Sequence, residues 1–320
     1  MSDQFVLSSA YRRFRGRDLL TLADYTKEEI QMLLDLAVQL KKRQKEGKTT
    51  PLLSGKTLGM IFEKSSTRTR VSFEVGMYQL GGQALFLSRN DLQLGRGETI
   101  ADTARVLSRY LDGIMIRTFG HEKAVELARF ATIPVINGLT DDYHPCQVLA
   151  DLLTILEKKG TLDGVKLAYV GDGNNMAHSL MQAGAIMGMR VAVATPTGYE
   201  PKREVVDFSR KMAVLSGGEV TITHSPEEAV AEADVVYTDV WASMGQEQEA
   251  QQRLQDFRGY QVDERLMKRA KADALFMHCL PAHRGEEVSD EVADGPQSVI
   301  FDQAENRLHA QKAVLAALMS

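Results

Sequence analysis

The chain has 320 residues, 44% hydrophobic and 25% charged, a length that points to two domains and a balance typical of a globular protein. Its formal net charge of −5 excludes nucleic acid as the main partner, because neutralising phosphates needs a basic surface; a local basic pocket for a small anion stays open. The two cysteines, Cys146 and Cys279, are too few and too far apart for a disulfide framework or a thiolate metal site, and they suit a reducing compartment.

Near the start, Arg12, Arg13, Arg15 and Arg17 form a basic cluster like that of a transit peptide, but Asp3 and Asp18 flank it and such peptides lack acids. No apolar run approaches the roughly 20 residues of a membrane span, so no membrane partner is expected and a cytoplasmic location is the default. Thr26-Lys27-Glu28-Glu29 reads as a capping box, and Ile30, Leu33, Leu34, Leu36, Ala37 and Leu40 then recur at helical spacing to about Lys45, with Gly47 as the stop. After Gly55, short apolar runs alternate with helical ones. The predicted order is strand Thr57–Phe62, helix Arg70–Leu80, strand Gln83–Leu87, helix Thr99–Leu111, strand Gly113–Ile116, helix Lys123–Phe130, strand Pro134–Ile136 and helix Cys146–Lys159. Lys159–Gly164 has the character of a domain boundary.

A second series follows, with strands predicted at Val165–Val170, Arg190–Ala194, Glu219–Thr223, Val235–Thr238, Ala274–Met277 and Ser298–Phe301. The polar, glutamine-rich Gln246–Arg258 reads as a mobile surface loop, and Glu305–Met319 as a closing apolar-faced helix that packs back on the first domain. Strands alternating with helices indicate parallel sheets covered on both faces. The expected fold is therefore α/β: two doubly wound domains, residues 1–150 with 305–320 and residues 151–304, with the active site in the cleft between them.

In such sheets ligands gather beyond the carboxyl ends of the strands. Ser65-Ser66-Thr67-Arg68-Thr69-Arg70 follows the first strand and opens a helix. Unpaired N–H groups, four hydroxyls and two guanidinium groups there suit an oxyanion, although a serine or threonine cap with solvated arginines is the plain alternative. The stretch lacks the GxxxxGK[ST] pattern of a nucleoside-triphosphate loop. Arg117 ends a buried strand, and His144 stands at a helix start, where a neutral imidazole can hydrogen-bond a carbonyl.

Gly171-Asp172-Gly173-Asn174-Asn175-Met176 invites a dinucleotide reading. Met176 replaces the third glycine, however, and Thr195-Pro196 stands where an acid would hold a ribose, so a nicotinamide cofactor is disfavoured. Asn174 and Asn175 suit a small polar ligand better. Asp239 and Cys279 each follow a strand as well; the plain readings are a helix cap and a small buried hydrophobe. One half of the chain thus gathers cations and hydroxyls, and the other gathers amides, an acid and a thiol. An anion and a polar amine are the matching guests.

Together these residues resemble the aspartate/ornithine carbamoyltransferase family, most closely its ornithine members. Ser66-Thr67-Arg68-Thr69-Arg70 is similar to the family motif SxRTR, His144-Pro145-Cys146-Gln147 to HPxQ, Asp239 with Ser243-Met244-Gly245 to DxxxSMG, and His278-Cys279-Leu280-Pro281 to HCLP. The resemblance runs from about Arg17 to the last helix. It implies transfer of the carbamoyl group of carbamoyl phosphate to the δ-amine of L-ornithine, in arginine metabolism, with no metal or organic cofactor.

It further implies site residues. Ser66, Thr67, Arg68 and Thr69 would hold phosphate with help from Arg117 and Arg307. Thr69, Arg117 and His144 would polarise the carbonyl oxygen, and Gln147 and the Leu280 carbonyl would recognise the carbamoyl NH₂. Asn175, Asp239, Ser243 and Met244 would bind ornithine. Because the attacking amine must be neutral, Cys279 and Asp239 are the candidates to act on it, with Cys279 expected to orient and help deprotonate the δ-amine and Asp239 mainly to anchor the α-amine. Gln93, in Asp91-Leu92-Gln93-Leu94-Gly95, matches a loop donated to the neighbouring subunit, which implies a homotrimer or a multiple of one. The alternatives are a carbamoyltransferase for acetylornithine, putrescine or aspartate, a non-catalytic binding protein of the same fold, and a nicotinamide-dependent dehydrogenase.

Overall fold

The computed structural model describes residues 5–90, 92, 97–243, 245 and 247–320. The chain divides into two compact units, one of residues 1–153 with 305–320 and one of residues 154–304.

The first unit contains α1 (Lys27–Lys45), β1 (Thr57–Phe62), α2 (Thr67–Gln79), β2 (Gln83–Ser88), α3 (Ile100–Leu107), β3 (Gly113–Arg117), α4 (His121–Phe130), β4 (Val135–Leu139) and the start of α5 (Pro145–Lys159). The capping box forms as expected: the Thr26 hydroxyl accepts from Glu29 N at 3.2 Å, and the Glu29 carboxylate accepts from Thr26 N at 3.0 Å. Arg17 of the basic cluster belongs to the same corner, paired with Glu29 at 2.5 Å and stacked 4.5 Å from the Tyr25 ring centre. The predicted helix Thr99–Leu111 ends earlier, at Leu107, where Ser108 turns its hydroxyl back to Ala104 O at 2.7 Å.

The strands pair in parallel in the order β2-β1-β3-β4. Central β1 and β3 are almost wholly buried, whereas edge strand β2 leaves Leu85 and Phe86 exposed. Burial on both faces explains the unbroken apolar runs of β1 and β3. Ile61, Ile114, Ile116 and Val135 pack with Ala104, Ala124 and Leu127 into one core, each large side chain contributing roughly 1.5–3 kcal/mol of burial.

The second unit takes the end of α5 and runs through β5 (Lys166–Val170), α6 (Asn175–Met187), β6 (Arg190–Ala194), α7 (Arg203–Ser216), β7 (Glu219–Thr223), α8 (Pro226–Val230), β8 (Val235–Thr238), α9 (Ala250–Asp256), α10 (Glu264–Met267), β9 (Leu275–His278), α11 (Asp290–Ala293) and the first turn of α12 (Ile300–Met319). Its five strands are parallel in the order β7-β6-β5-β8-β9. All thirteen residues of α6 are buried, so this helix is apolar around most of its circumference.

Two expectations are corrected. Ser298–Phe301 is not a strand: Ser298 keeps one isolated bridge to Phe276, and from Ile300 the chain is already helical. A short apolar run carries no period long enough to separate strand from helix. Here Ile300 is buried while its neighbour Phe301 is 70% exposed. The stretch Gln246–Arg258 is not a loop either. Residue 246 lies outside the described residues, Glu247–Glu249 form a 3-10 turn, and α9 follows at once. Its polarity hides a buried anchor, Arg253.

Both sheets have a point where the strand order reverses, between β1 and β3 in the first and between β5 and β8 in the second. Right-handed crossovers then leave in opposite directions, and the loops beyond the carboxyl ends of those two strands part to form a crevice. The glycines of the β5–α6 turn follow from this crowding. Gly171 adopts φ +148°, and a Cβ on Gly173 would sit 2.5 Å from both Tyr199 O and Glu200 C, with Pro201 N closer still. A dinucleotide is not needed to explain them. Gly173→Ala is expected to destabilise the second unit by about 1–3 kcal/mol, because the clash is with backbone that cannot rotate away. A denaturant melt with an unchanged midpoint would show that the turn has more room than these distances allow.

Candidate active site

The first crevice collects the cationic residues. Ser66 caps α2, its hydroxyl accepting from Thr69 N at 3.2 Å, so the plain capping reading and the oxyanion reading apply to the same residue. The cap leaves early N–H groups of the helix facing outward with the positive end of its dipole. Ser66 Oγ also donates to Thr69 Oγ1 at 3.1 Å. Arg68, the second residue of α2, is half-buried in its first turn. Arg70, by contrast, pairs with Glu74 at 2.9 Å and stacks 3.9 Å from the Phe86 ring centre, so it serves the α2–β2 surface.

Arg117 is the last residue of β3, 5% exposed, and lies in register with Phe62 of β1. A register shift against β4 occurs at Ile116 and Arg117. Arg307 lies two turns inside α12, buried, and donates to Thr69 Oγ1 at 3.1 Å and to Gln147 Oε1 at 2.7 Å. Gln147 in turn donates to Asp151 at 2.8 Å. Gln311, in the amide orientation that satisfies both of its ends, accepts from Arg307 Nη2 at 2.9 Å.

His144 precedes α5 and is buried beside these groups. Burial first, and then the fields of Arg307, Arg117 and Arg68, hold its imidazole well below the usual range, so it is neutral at neutral pH. The four residues, far apart in sequence, therefore share one electrostatic environment. Neighbouring Cys146 is a structural thiol: burial pushes it up to about 12, and Sγ donates to Asn137 O at 3.4 Å.

The loop carrying Ser66 is fixed by charge on its other side. Buried Lys64 pairs with Asp141 and lies 4.4 Å from the Phe119 ring centre, and Glu63 accepts from Lys123 at 2.8 Å and from the Thr118 hydroxyl. None of these residues carried a signal in the sequence beyond ordinary charge.

The second crevice holds the acid and the thiol. Asp239, directly after β8, accepts from Cys279 Sγ at 3.0 Å and from Asn174 Nδ2 at 3.1 Å. It is therefore not a helix cap, and Cys279 is half-buried and hydrogen-bonded, not an inert hydrophobe. Both ends of the Asn174 amide are taken by protein groups, which leaves Asn175 of that pair as the candidate ligand contact. Leu280 has φ +58°, and its N–H donates to His278 Nδ1 at 2.9 Å. His278 Nε2 must then carry the proton, which points to Glu287 Oε1 at 3.1 Å. Gln303 completes the support, accepting from His278 N at 3.0 Å and donating to Tyr237 Oη at 3.0 Å.

Beyond Ser243 the chain is anchored by Arg253 of α9. This 6%-exposed side chain donates to Asp172 at 2.7 Å and Trp241 O at 2.9 Å, and its Nε donates to Glu249 at 3.1 Å. Burial pushes Asp172 up to about 6 against the pull of Arg253. A Glu-to-Arg pair at i,i+4 within the glutamine-rich stretch was the one sequence sign of this anchor. Gln93 and Met244 lie outside the described residues.

Both crevices thus carry polar groups selected for small, charged guests. The carbamoyl-P binding domain of the aspartate/ornithine carbamoyltransferases matches residues 17–157, and the Asp/Orn binding domain of the same family matches residues 163–318. The chain belongs to the aspartate/ornithine carbamoyltransferase family.

Within it, the chain is similar to the ornithine carbamoyltransferase of Anoxybacillus flavithermus, 66% identical over 307 residues that cover 96% of this chain and 98% of that protein. It is 63% identical to the anabolic ornithine carbamoyltransferase of Pyrococcus furiosus over 95% of this chain and 96% of the other. Among solved structures, ornithine carbamoyltransferase from Pyrococcus furiosus superimposes with a TM-score of 0.94, at 62% identity and over 98% of this chain and 99% of that one. The Gloeobacter violaceus enzyme of the same name gives 0.86, at 53% identity over 96% and 99%.

His144 generates a pH prediction. Its value in the folded chain lies below the ordinary 6.5, so its contribution to stability is present above that pH. As the pH falls through it, the unfolded chain binds a proton that the folded chain does not, and stability is lost. Between about pH 7 and pH 5.5, His144→Asn should lose roughly 1 kcal/mol less than the parent in denaturant melts. Parallel losses in the two proteins would mean that the imidazole is protonated in the folded state.

Proposed function

We propose that this chain transfers the carbamoyl group of carbamoyl phosphate to the δ-amine of L-ornithine, giving L-citrulline and phosphate. The observation that carries the reading is the cluster of half-buried Arg68 with buried Arg117, Arg307 and neutral His144 at the first crevice, in a member of a carbamoyltransferase family. A dianionic phosphate suits such a cluster, and the neutral imidazole can donate to a carbonyl without adding charge.

In this reading Ser66, Thr67, Arg68 and Thr69 bind the phosphoryl oxygens at the start of α2, joined by Arg117 and Arg307. Thr69, Arg117 and His144 face the carbonyl oxygen. Gln147 Oε1, already accepting from Arg307, has a second lone pair for the carbamoyl NH₂, which the Leu280 carbonyl also accepts. Asn175, Asp239, Ser243 and Met244 hold the α-amino and α-carboxylate groups of ornithine. Gln93 reaches the phosphate from the neighbouring subunit of a homotrimer, or of a multiple of trimers. The enzyme is assigned to the cytoplasm and to arginine biosynthesis; among the described residues no helix is long and apolar enough to cross a membrane.

The nucleophile must be neutral, yet an alkylamine has a pKa of about 10.4 by analogy with lysine. Cys279 orients the δ-nitrogen and takes its first proton while the thiol's own proton passes to the Asp239 carboxylate that already accepts from it. The nitrogen lone pair then forms a bond to the carbamoyl carbon, and the carbonyl π electrons move to oxygen. Collapse of this tetrahedral species breaks the C–O bond to phosphate, and the second nitrogen proton leaves with phosphate. Carbamoyl phosphate is already activated, so binding, alignment and preorganised donors are sufficient.

The test is citrulline formation from carbamoyl phosphate with ornithine, and with aspartate, putrescine and acetylornithine as parallel acceptors. Turnover with ornithine alone is expected. Turnover with a different acceptor would overturn the roles given to Asp239 and Ser243, and silence with all four would favour a binding protein. Arg117→Ala should lower turnover by about a hundredfold or more, the scale of one lost oxyanion donor. Parental turnover in that variant would remove Arg117 from the chemistry.

A further inference from the structure

Asn174 does two jobs with one side chain. Its Oδ1 accepts from Met176 N at 2.9 Å and Ala177 N at 3.3 Å, which caps α6, and from Tyr169 Oη at 3.2 Å. Three donors on the oxygen settle which end of the amide is which. They also fix its plane, since rotation would uncap a fully buried helix. The other end, Nδ2, is thereby aimed at Asp239 Oδ2, 3.1 Å away. The second Asp239 oxygen accepts from Cys279 Sγ at 3.0 Å.

We propose that Asn174 is a positioning residue for the ornithine half of the reaction, holding the Asp239 carboxylate in the one orientation that engages the Cys279 thiol. The chain of contacts runs helix cap, amide, carboxylate, thiol, and it ties together the carboxyl ends of β5, β8 and β9. Strand register creates it: Val170 pairs with Thr238 and Thr238 with His278, so the residues that follow each strand end are neighbours. Asp239 is buried, and a carboxylate gripped on one oxygen alone would be free to rotate about its terminal bond. The amide removes that freedom before ornithine arrives, which is the preorganisation that proton transfer at nitrogen requires. This inference rests on the carbamoyl-transfer reading.

Serine and aspartate cap helices about as well as asparagine, so they separate the two jobs. Asn174→Ser keeps the cap and loses the reach to Asp239. It should melt like the parent, keep the KM for carbamoyl phosphate, and lose about tenfold in kcat/KM for ornithine, the scale of one hydrogen bond to a charged group. Asn174→Asp also keeps the cap but sets a carboxylate against Asp239. It should lose more, with the acid limb of its kcat/KM profile moved to higher pH.

The alkylation rate of Cys279 by iodoacetamide, followed on its peptide, gives a readout independent of turnover. Asn174→Ser should react faster, because the thiol loses a fixed acceptor. Parental ornithine kinetics and an unchanged Cys279 rate in Asn174→Ser would overturn the proposal, as would equal losses with both substrates that track a lowered melting point. A parent without citrulline formation but with the expected change in thiol reactivity would overturn the transfer reading and leave the positioning role standing.

Discussion

The arrangement on which the rest of the first unit depends is the gathering of Arg68, Arg117 and Arg307 around one buried imidazole, His144. Like charges repel, and each guanidinium has given up part of its water. The hydrogen bonds from Arg307 to Thr69, Gln147 and Gln311 fix the plane of its guanidinium. His144 registers the resulting field by staying neutral. A dianion would offset this repulsion, which is the physical basis of the phosphate-binding role proposed for the cluster.

The rest of the first unit serves to hold that arrangement. The Lys64–Asp141 and Glu63–Lys123 pairs brace the segment between β1 and α2. The Ser66 cap ends the brace where α2 begins, so its early N–H groups face the crevice. Arg307 arrives from the end of the chain on α12, whose residues Lys312 and Leu315 pack against Gly76 of α2. A bulkier residue at 76 would push the helix that carries Arg307 away from Thr69.

The second unit solves the opposite electrostatic problem. An acid and a thiol are held close by hydrogen bonds: Asn174 donates to one Asp239 oxygen and Cys279 to the other. Around them, the His278–Glu287 pair sets the left-handed turn at Leu280, and the Arg253–Asp172 pair anchors the segment that follows Ser243. Amides and buried ion pairs do here what backbone regularity does in the sheet. They fix side chains whose own torsions would otherwise be free.

The sequence by itself determined the alternation of strands and helices, the parallel α/β class, the capping box of α1 and the four motifs that identify the family. Each of these depends on local pattern: apolar period, cap chemistry and residue order. It misjudged Ser298–Phe301 and Gln246–Arg258, where a short apolar run and a polar stretch carry no decisive period. Only the tertiary structure decided which strands are neighbours, and hence that β1 meets β3 and β5 meets β8. That pairing turned Asn174 from a ligand candidate into the support of Asp239, made a buried anchor of Arg253, and set Arg70 apart from Arg68 two residues away. Such roles depend on which groups meet across the fold, because a hydrogen bond or an ion pair is fixed by distance in space, and distance along the chain does not encode it.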